Sequence, residues 1–391
     1  MECRRFCRSS LAFLVLSLLL CAFRSVLGQI QPFHREEIKI PDIPGYITLK
    51  CDLHMHTVFS DELVWPTVRV DEAWSEGLDA IAITDHIEFH KHEKDVSTDN
   101  DRSYEIALPR AEELSFLLAR GGEMTKNMPP GHFNAIFLDD VNKLKNEDFR
   151  EAFKAARDQN AFIFWNHPWG QNRGEDGLSI WHPEHTLIFE NGWMHGIEIA
   201  NRWGYHPNPH RWALEKNLTI LCNTDQHGPM DSNLGGLGLR AMTLVFAREK
   251  SLAAIKEALF DRRTAVFVNG DLYGEQRFLE PLFEEAVEVL VPRVTLKGKG
   301  SRASVQVRNH SGILFRLAAE GKVEGINFQE GLTLLPEATV LLRVSASGDS
   351  LVPGIRTVEL PYRVQNMHLS PEETLRITLS LEVTFAAEAA K

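Results

Sequence analysis

His54, His56, Asp61, His86, Glu123, His132, His167, Asp225 and His227 are nine metal-competent side chains spread in order along one chain. Seven of the nine sit at or just beyond the end of a short apolar run. If those runs are parallel strands, their ends share one rim and the nine groups converge there. Imidazoles and carboxylates gathered in this way can hold three divalent cations, and a cation cluster is chemistry for phosphate esters.

The local spacing supports this chemistry. His54-Met55-His56 closes an apolar run. In an extended H-x-H both imidazoles face the same side and can reach one metal. Asp61 follows five residues on, in a polar loop. In Thr84-Asp85-His86 the imidazole suits a ligand, and Asp85 suits orientation of a neighbouring group. Gly121-Gly122 permit close backbone approach ahead of Glu123, whose two oxygens suit it to bridge two cations. His132 begins an apolar run, Asn166-His167-Pro168 ends one, and Asp225-Gln226-His227 repeats the same-side spacing after TILCNT. Each motif alone has a bland reading: an isolated H-x-H is more often an ordinary histidine pair, and a lone glutamate a solvated acid. An H-x-H early in the chain combined with a D-x-H far downstream is a much stronger signal than either.

These residues need a scaffold that alternates strand and helix. Leu49–Leu53, Ala80–Thr84, Leu117–Glu123, His132–Leu138, Ala161–Trp165, Gly196–Ala200 and Thr219–Asn223 read as strands. Helices are expected over Pro66–Glu76 with Gly77 as its stop, Asn146–Gln159 ending at Asn160, His210–Lys216 ending near Asn217, and Ser251–Phe260 with Ser251 as N-cap. Such alternation indicates a parallel sheet or barrel. Near residue 290 the composition shifts to short β-rich runs (Val289–Val294, Ala303–Val307, Thr339–Val344, Thr357–Tyr362 and Leu375–Thr384). Their even spacing suggests a small antiparallel sandwich.

The 391 residues are 43% hydrophobic and 25% charged, with a formal net charge of -12. That balance is globular, and an acidic chain without a basic stripe is a poor partner for long nucleic acid. A small anionic substrate stays compatible, because bound cations reverse the local field. Arg4, Arg5 and Arg8 precede an apolar stretch, Leu11–Phe23, with small residues Val26 and Gly28 before Gln29. This reads as a signal peptide over 1–28, and hence as export to a periplasm or outside the cell, with no stable membrane span after cleavage. An uncleaved anchor is the alternative. Cleavage leaves Cys51 and Cys222, each three residues before a proposed ligand; two buried free thiols are the plain expectation and a bridge between neighbouring strands the sharper one. Asn217-Leu218-Thr219 and Asn309-His310-Ser311 match the glycosylation pattern.

The segments CDLHMHTVFSD, AIAITDHIE, GGEM, GHFNAIFL, FWNHPWG and TDQH together are similar to the PHP family, named for polymerase and histidinol phosphatase domains. The resemblance runs over roughly residues 46 to 270 and keeps all the metal motifs in order. It implies an α/β fold, a distorted (β/α)7 barrel, with a trinuclear site at the strand ends. By resemblance, His54, His56, Glu123 and Asp225 hold a first metal. Glu123 bridges to a second, completed by His132 and His167. Asp61, His86 and His227 hold a third. The ions are Mn, Zn or Fe; an aspartate at position 61 hardens that site and favours Mn or Fe. The implied organisation is a signal peptide at 1–28, an N-terminal extension at 29–45, the barrel at 46–285 and a β-sandwich-like domain at 286–391.

Hydrolysis of a small phosphate ester follows, with Asp225, His227 and Glu123 in the catalytic group. A phosphodiesterase or exonuclease-type relative is one rival, and a metal-stabilised binding protein is another. Arg173 and Arg202 lie on loops after strands and suit phosphate recognition through their planar forks. Lys126 is a weaker candidate. Glu198, Asn201, His90 and His92 are placed near the expected rim. Trp165, Trp169, Trp193, Trp203 and Trp212 crowd one half of the domain, as core packing or as an apolar wall for a leaving group. The β-domain shows no catalytic cluster.

Overall fold

A computed structural model describes residues 34–170, 172–230, 240–347 and 352–386. The expected signal peptide, with Cys3, Cys7 and Cys21, lies outside the described residues. Among those described, no helix is long and apolar enough to cross a membrane.

The first part of the chain places its strands in the order β1 (Ile47–Met55), β2 (Ala80–Ile83), β3 (Leu117–Thr125), β4 (His132–Ile136), β5 (Phe162–Trp165) and β6 (Gly196–Asn201). There follow β7 (Gly204–Tyr205), β8 (Thr219–Asn223), β9 (Met242–Ala247), β10 (Thr264–Val268) and β11 (Asp271–Gly274). The helices are α1 (Pro66–Ser75), α2 (Arg102–Glu113), α3 (Phe149–Asp158), α4 (Pro183–Glu190), α5 (Pro207–Lys216), α6 (Leu252–Phe260) and α7 (Gln276–Ala286). The four expected helices appear with their signals in place. Ser251 Oγ accepts the Ala254 N–H, Asn217 caps α5 in the left-handed region, and Gly77 and Asn160 have positive φ just beyond α1 and α3. Helices α2, α4 and α7 were not expected; Pro109 and Pro281 inside α2 and α7 are breaker signals that tertiary packing overrides, and α4 is a short helix of 8 residues.

The sheet is mixed rather than wholly parallel. β1 pairs parallel with β2, and β2 with β3. β4 runs antiparallel to both β3 and β5. β5, β6 and β8 are again parallel. β9 is antiparallel to β1 and to β10. Thus β10, β1, β2, β3, β5, β6 and β8 share one direction, with β4 and β9 reversed. The reason at β4 is connection length: no helix separates it from β3, and a parallel return needs a crossover of a dozen residues or so. Between β1 and β8 there is no ladder. The two strands meet at an isolated Met55–Gln226 bridge, at the bond from Leu53 N to Asn223 Oδ1 (2.8 Å) and at the bond from Thr224 N to Asp52 Oδ1 (3.1 Å). An apolar cluster of Leu49, Leu53, Phe162, Phe164, Leu221 and Val245, backed by Ile255 and Leu259 of α6, fixes these strands together.

The remaining strands are β12 (Val287–Val289), β13 (Arg293–Lys297), β14 (Arg302–Asn309), β15 (Phe315–Ala319), β16 (Ile326–Phe328), β17 (Gly331–Leu334), β18 (Thr339–Ala346), β19 (Gly354–His368) and β20 (Thr374–Ala386). One sheet has the order β12-β14-β18-β16. The strands β13, β20, β19, β15 and β17 belong to the larger sheet, because β11 pairs with β19 at Leu272–Met367 and Tyr273–His368. The β-rich region therefore continues the first sheet at its edge. Alternation of buried and exposed residues along β14, β18 and β20 marks faces packed on one side. Strands β15 to β17 carried no clear signal in their glycine-rich stretch.

Candidate metal centre

All nine sequence-selected ligands come together. They form four overlapping sets whose ligating atoms lie within 4.8 Å of one another: His56, Asp61, His86 and His227; His54, Glu123 and His167; His54, His56 and Asp225; and His86, Glu123 and His132. The shared direction of β1, β2, β3, β5 and β8 brings their carboxyl ends to one rim. His132 joins from the start of β4 because that strand is reversed: its amino end lies beside Thr125, the last residue of β3. β1 also carries a register irregularity between Asp52 and Met55, just ahead of the H-x-H; such bulges re-aim side chains near sites.

Glu123 is the hub. Its Oε1 lies 3.4 Å from His54 Nε2, 3.2 Å from His132 Nδ1 and 3.5 Å from His167 Nε2. Its Oε2 faces His86 Nδ1 and lies 3.9 Å from His56 Nε2. Asp225 Oδ1 is 3.2 Å from the Nε2 atoms of both His54 and His56. Asp61 Oδ2 is 3.4 Å from His227 Nε2 and 3.7 Å from His86 Nε2.

Burial works against every charge here, and the opposite charges decide the outcome. Glu123 stays well below the ordinary carboxylate range because His86 and His132 outweigh the cost of its burial. Asp225 is likewise held low, its burial overcome by His54 and His56. His86, although buried, is pushed up to about 10 by Glu123 and Asp61. His56 goes the other way, to about 4, because burial prevails over the attraction of the nearby Asp225 and Glu123 carboxylates.

Two ligands carry unusual backbone angles. His167 has φ 30 and Asp225 has φ 51. Non-glycine residues held there store roughly 1–3 kcal/mol each, and such strain clusters at functional sites. Surrounding side chains keep the geometry. Glu198 accepts the His167 N–H at 2.7 Å and takes His54 Nδ1 and Asn223 Nδ2 on its other oxygen, at 3.1 and 3.0 Å. Asn166 donates Nδ2 to Glu123 Oε1 (2.8 Å) and to Asn134 Oδ1 (2.9 Å). Asp85 accepts from Thr57 N, Thr57 Oγ1 and Ser60 Oγ, fixing the loop between His56 and Asp61. Arg69, with no exposed surface, donates Nε to His56 O and Nη1 to Gly228 O, both at 3.1 Å. Asp85 is the orienting group its motif suggested. Asn166 and Asn223 are visible only as neighbours of ligands, and Arg69, Asn134 and Arg240 gave no sequence signal. Arg240 pairs with Asp52 and Glu76 under the β1–β8 contact.

The other expected residues divide. Arg202 reaches Gln226 Oε1 at 3.0 Å, between Asp225 and His227. Arg173 is exposed and bonded through Nε to Trp169 O at 2.8 Å. Lys126 is engaged with Glu88 and the Asn146 carbonyl, which takes it away from substrate duty. His90 turns both ring nitrogens toward the Phe59 and Ile87 carbonyls. Asn201 accepts the Trp203 N–H instead of facing the ligands. Trp165, Trp169 and Trp193 are buried, whereas Trp203 is exposed. Cys51 and Cys222 are buried free thiols, so the bridge is not formed. Asn309 is buried with its amide nitrogen donated to three carbonyls, a poor glycosylation acceptor.

The donor set fits cations. His54 Nε2, His56 Nε2 and Asp225 Oδ1 are buried, have no hydrogen-bond partner, and point at one another across 3.2 Å. A buried polar atom without a partner is costly, and a shared cation satisfies all three. Sites of imidazole and carboxylate suit Zn, Fe and Mn.

A family model described as an Ig-like domain matches residues 287–380. No curated protein matches the chain. Among solved structures, the chain is similar to a two-domain protein from Bacteroides vulgatus containing a predicted PHP-like metal-dependent phosphoesterase. Identity is 41%, the TM-score is 0.82, and the match covers 89% of this chain and 99% of that one. A candidate metal-dependent phosphoesterase from Bifidobacterium adolescentis aligns at 17% identity with a TM-score of 0.39, over 54% of this chain and 96% of that one. With 41% identity held across nearly the whole of its Bacteroides relative, this chain belongs to the PHP-like metal-dependent phosphoesterases.

Proposed function

We propose that this protein is an exported phosphoesterase that hydrolyses a small phosphate ester at a trinuclear centre. The observation that carries the reading is the set of buried, unpartnered ligand atoms on His54, His56 and Asp225, in a chain whose relative contains a predicted PHP-like metal-dependent phosphoesterase. We read the seven co-directional strands as a distorted (β/α)7 barrel over residues 46–285, followed by the β-domain at 286–391. His54, His56, Glu123 and Asp225 are assigned to one cation, Glu123, His132 and His167 to the second, and Asp61, His86 and His227 to the third. When bound, the cations supply a water of lowered pKa and positive charge for the phosphate oxygens.

The chain's own residues do the rest. Glu198 and Asn166 fix the His54 imidazole and the Glu123 carboxylate in place, so no reorganisation is needed as charge develops. His227 turns one ring nitrogen toward Asp61 and the other toward the Asp225 carbonyl, so as a ligand it has no nitrogen left for proton transfer, and Asp225, through its second carboxylate oxygen, would pass the proton to the leaving oxygen. Arg202, beside them through Gln226, and the exposed Arg173 offer guanidinium forks to the phosphate. Export rests on the basic and apolar pattern of residues 1–28.

The test is phosphate release by Mn-loaded protein across monoesters and diesters, with chelator controls, beside Asp225→Asn. Chelator-sensitive release that is lost in a folded Asp225→Asn supports the reading. Absence of turnover in metal-loaded protein would favour a metal-stabilised binding protein, and turnover of diesters alone a phosphodiesterase.

A further inference from the structure

Most of the large exposed apolar side chains of the α/β part lie on one set of connections; Val68, Leu214 and Phe260, on α1, α5 and α6, are the exceptions. Leu63, Trp65, Phe89, Leu178, Ile180 and Trp203 are all exposed, and all lie on connections following β1, β2, β5 and β6. That is the rim where the nine ligands gather. Single exposed apolar residues need no explanation, but apolar groups gathered around a polar site mark the place of a ligand's organic part.

Trp203 stands out, with 73% of its surface exposed, against 0%, 7% and 9% for Trp165, Trp169 and Trp193. Its ring is nonetheless well held. The backbone N–H bonds Asn201 Oδ1 at 2.9 Å, and β7 pairs back onto β6 immediately afterwards. Arg202 Cζ lies 4.5 Å from the indole centroid. Arg202 also donates to Gln226 Oε1 at 3.0 Å, so one side chain links the indole to the segment bearing Asp225 and His227. Its Nε is buried without a partner, and among the described residues Arg202 has no carboxylate partner. A guanidinium so placed serves the ring face and an anion at once.

Building on the phosphoesterase reading, we propose that Trp203, braced by Arg202, is a stacking platform for an aromatic ring in the substrate. The site thereby prefers phosphate esters of ring-bearing alcohols over aliphatic ones. The open indole face takes the ring, and Arg202 directs the charged end toward the ligand cluster.

The test uses full-length, Mn-loaded protein and two non-hydrolysable probes, phenylphosphonate and methylphosphonate, with binding measured by calorimetry. Wild type and Trp203→Phe are expected to bind phenylphosphonate about fivefold to tenfold more tightly than methylphosphonate. Trp203→Ala is expected to fold, since an exposed side chain contributes little to folding, and to lose that preference, its phenylphosphonate affinity falling to that for methylphosphonate. Equal affinities in wild type, an undiminished preference in Trp203→Ala, or failure of both probes to bind would overturn the platform. Phosphate release from phenyl phosphate and methyl phosphate by wild type judges the phosphoesterase reading separately. Absence of release with an intact phenylphosphonate preference would remove the reaction and leave the platform standing.

Discussion

Arg69→Met tests whether a residue outside every motif sets the geometry of the ligands. Arg69 is completely buried. It ties the His56 carbonyl to the Gly228 carbonyl, each at 3.1 Å, and pairs with Glu72 at 2.9 Å. Those carbonyls belong to the two segments carrying His56 and His227, whose rings stack with centroids 4.2 Å apart. Methionine keeps most of the apolar stem and removes all three bonds. Hydrogen bonds to a charged donor are worth about 1.5–3 kcal/mol each, and removing one partner of a buried pair costs about 3–5 kcal/mol. Glu72 retains the Met230 N–H and some solvent, which puts the expected loss near the lower end, about 3 kcal/mol. Mn affinity should also fall by about tenfold to a hundredfold, the usual cost of losing support behind a ligand. Urea unfolding with and without Mn, together with calorimetric titration of the metal, reads both numbers. Arg69→Lys should recover part of the stability but little of the affinity, because an ammonium lacks the fork that reaches two carbonyls. A stability loss with unchanged Mn affinity would refute the positioning argument.

Other outcomes follow from the same geometry. Glu198→Gln should weaken Mn binding about tenfold to a hundredfold by loosening His54 and the His167 amide, measurable by calorimetry. Gly121→Ala should cost about 1–3 kcal/mol in denaturant unfolding, since a Cβ there would lie 2.8 Å from Ile136 Cγ2 and 3.0 Å from the Ala135 carbonyl. Mn binding near pH 8 should release protons, seen as buffer-dependent heats, because His86 in the metal-free protein is raised from 6.5 to about 10 by Glu123 and Asp61. The sign for metal-free stability follows: the His86 contribution is complete below about pH 6.5 and fades as the pH rises through 10. Metal affinity should climb over that window. Cys51 and Cys222, whose thiols burial pushes well above their usual range, should resist labelling until the chain unfolds.

The sequence by itself picked out the nine side chains that the fold brings together. H-x-H, D-x-H and strand-end histidines are local patterns, and the H-x-H at the end of β1 brings His54 and His56 to the same Asp225 oxygen; the Asp225–His227 pair departs from period-two geometry, because Asp225 has φ 51 beyond the end of β8. Helix stops at Gly77, Asn160 and Asn217 were legible for the same reason: they depend on the backbone preferences of single residues. The tertiary structure decided what no local pattern encodes. Reversal of β4 follows from its short connection to β3, but only its pairing between β3 and β5 turns His132 from a strand-start residue into a member of the rim. The partners behind the ligands (Glu198, Asn166, Arg69) act across 31, 43 and 13 residues of chain; the strand-end position of Glu198 hints at the rim, but only folding reveals what each of the three holds. Arg202 and the weaker candidate Lys126 were both read as loop cations; the neighbours they meet in space leave one beside Gln226 and engage the other with Glu88. Spacing fixes direction within a strand, whereas packing between distant segments fixes what each side chain finally touches.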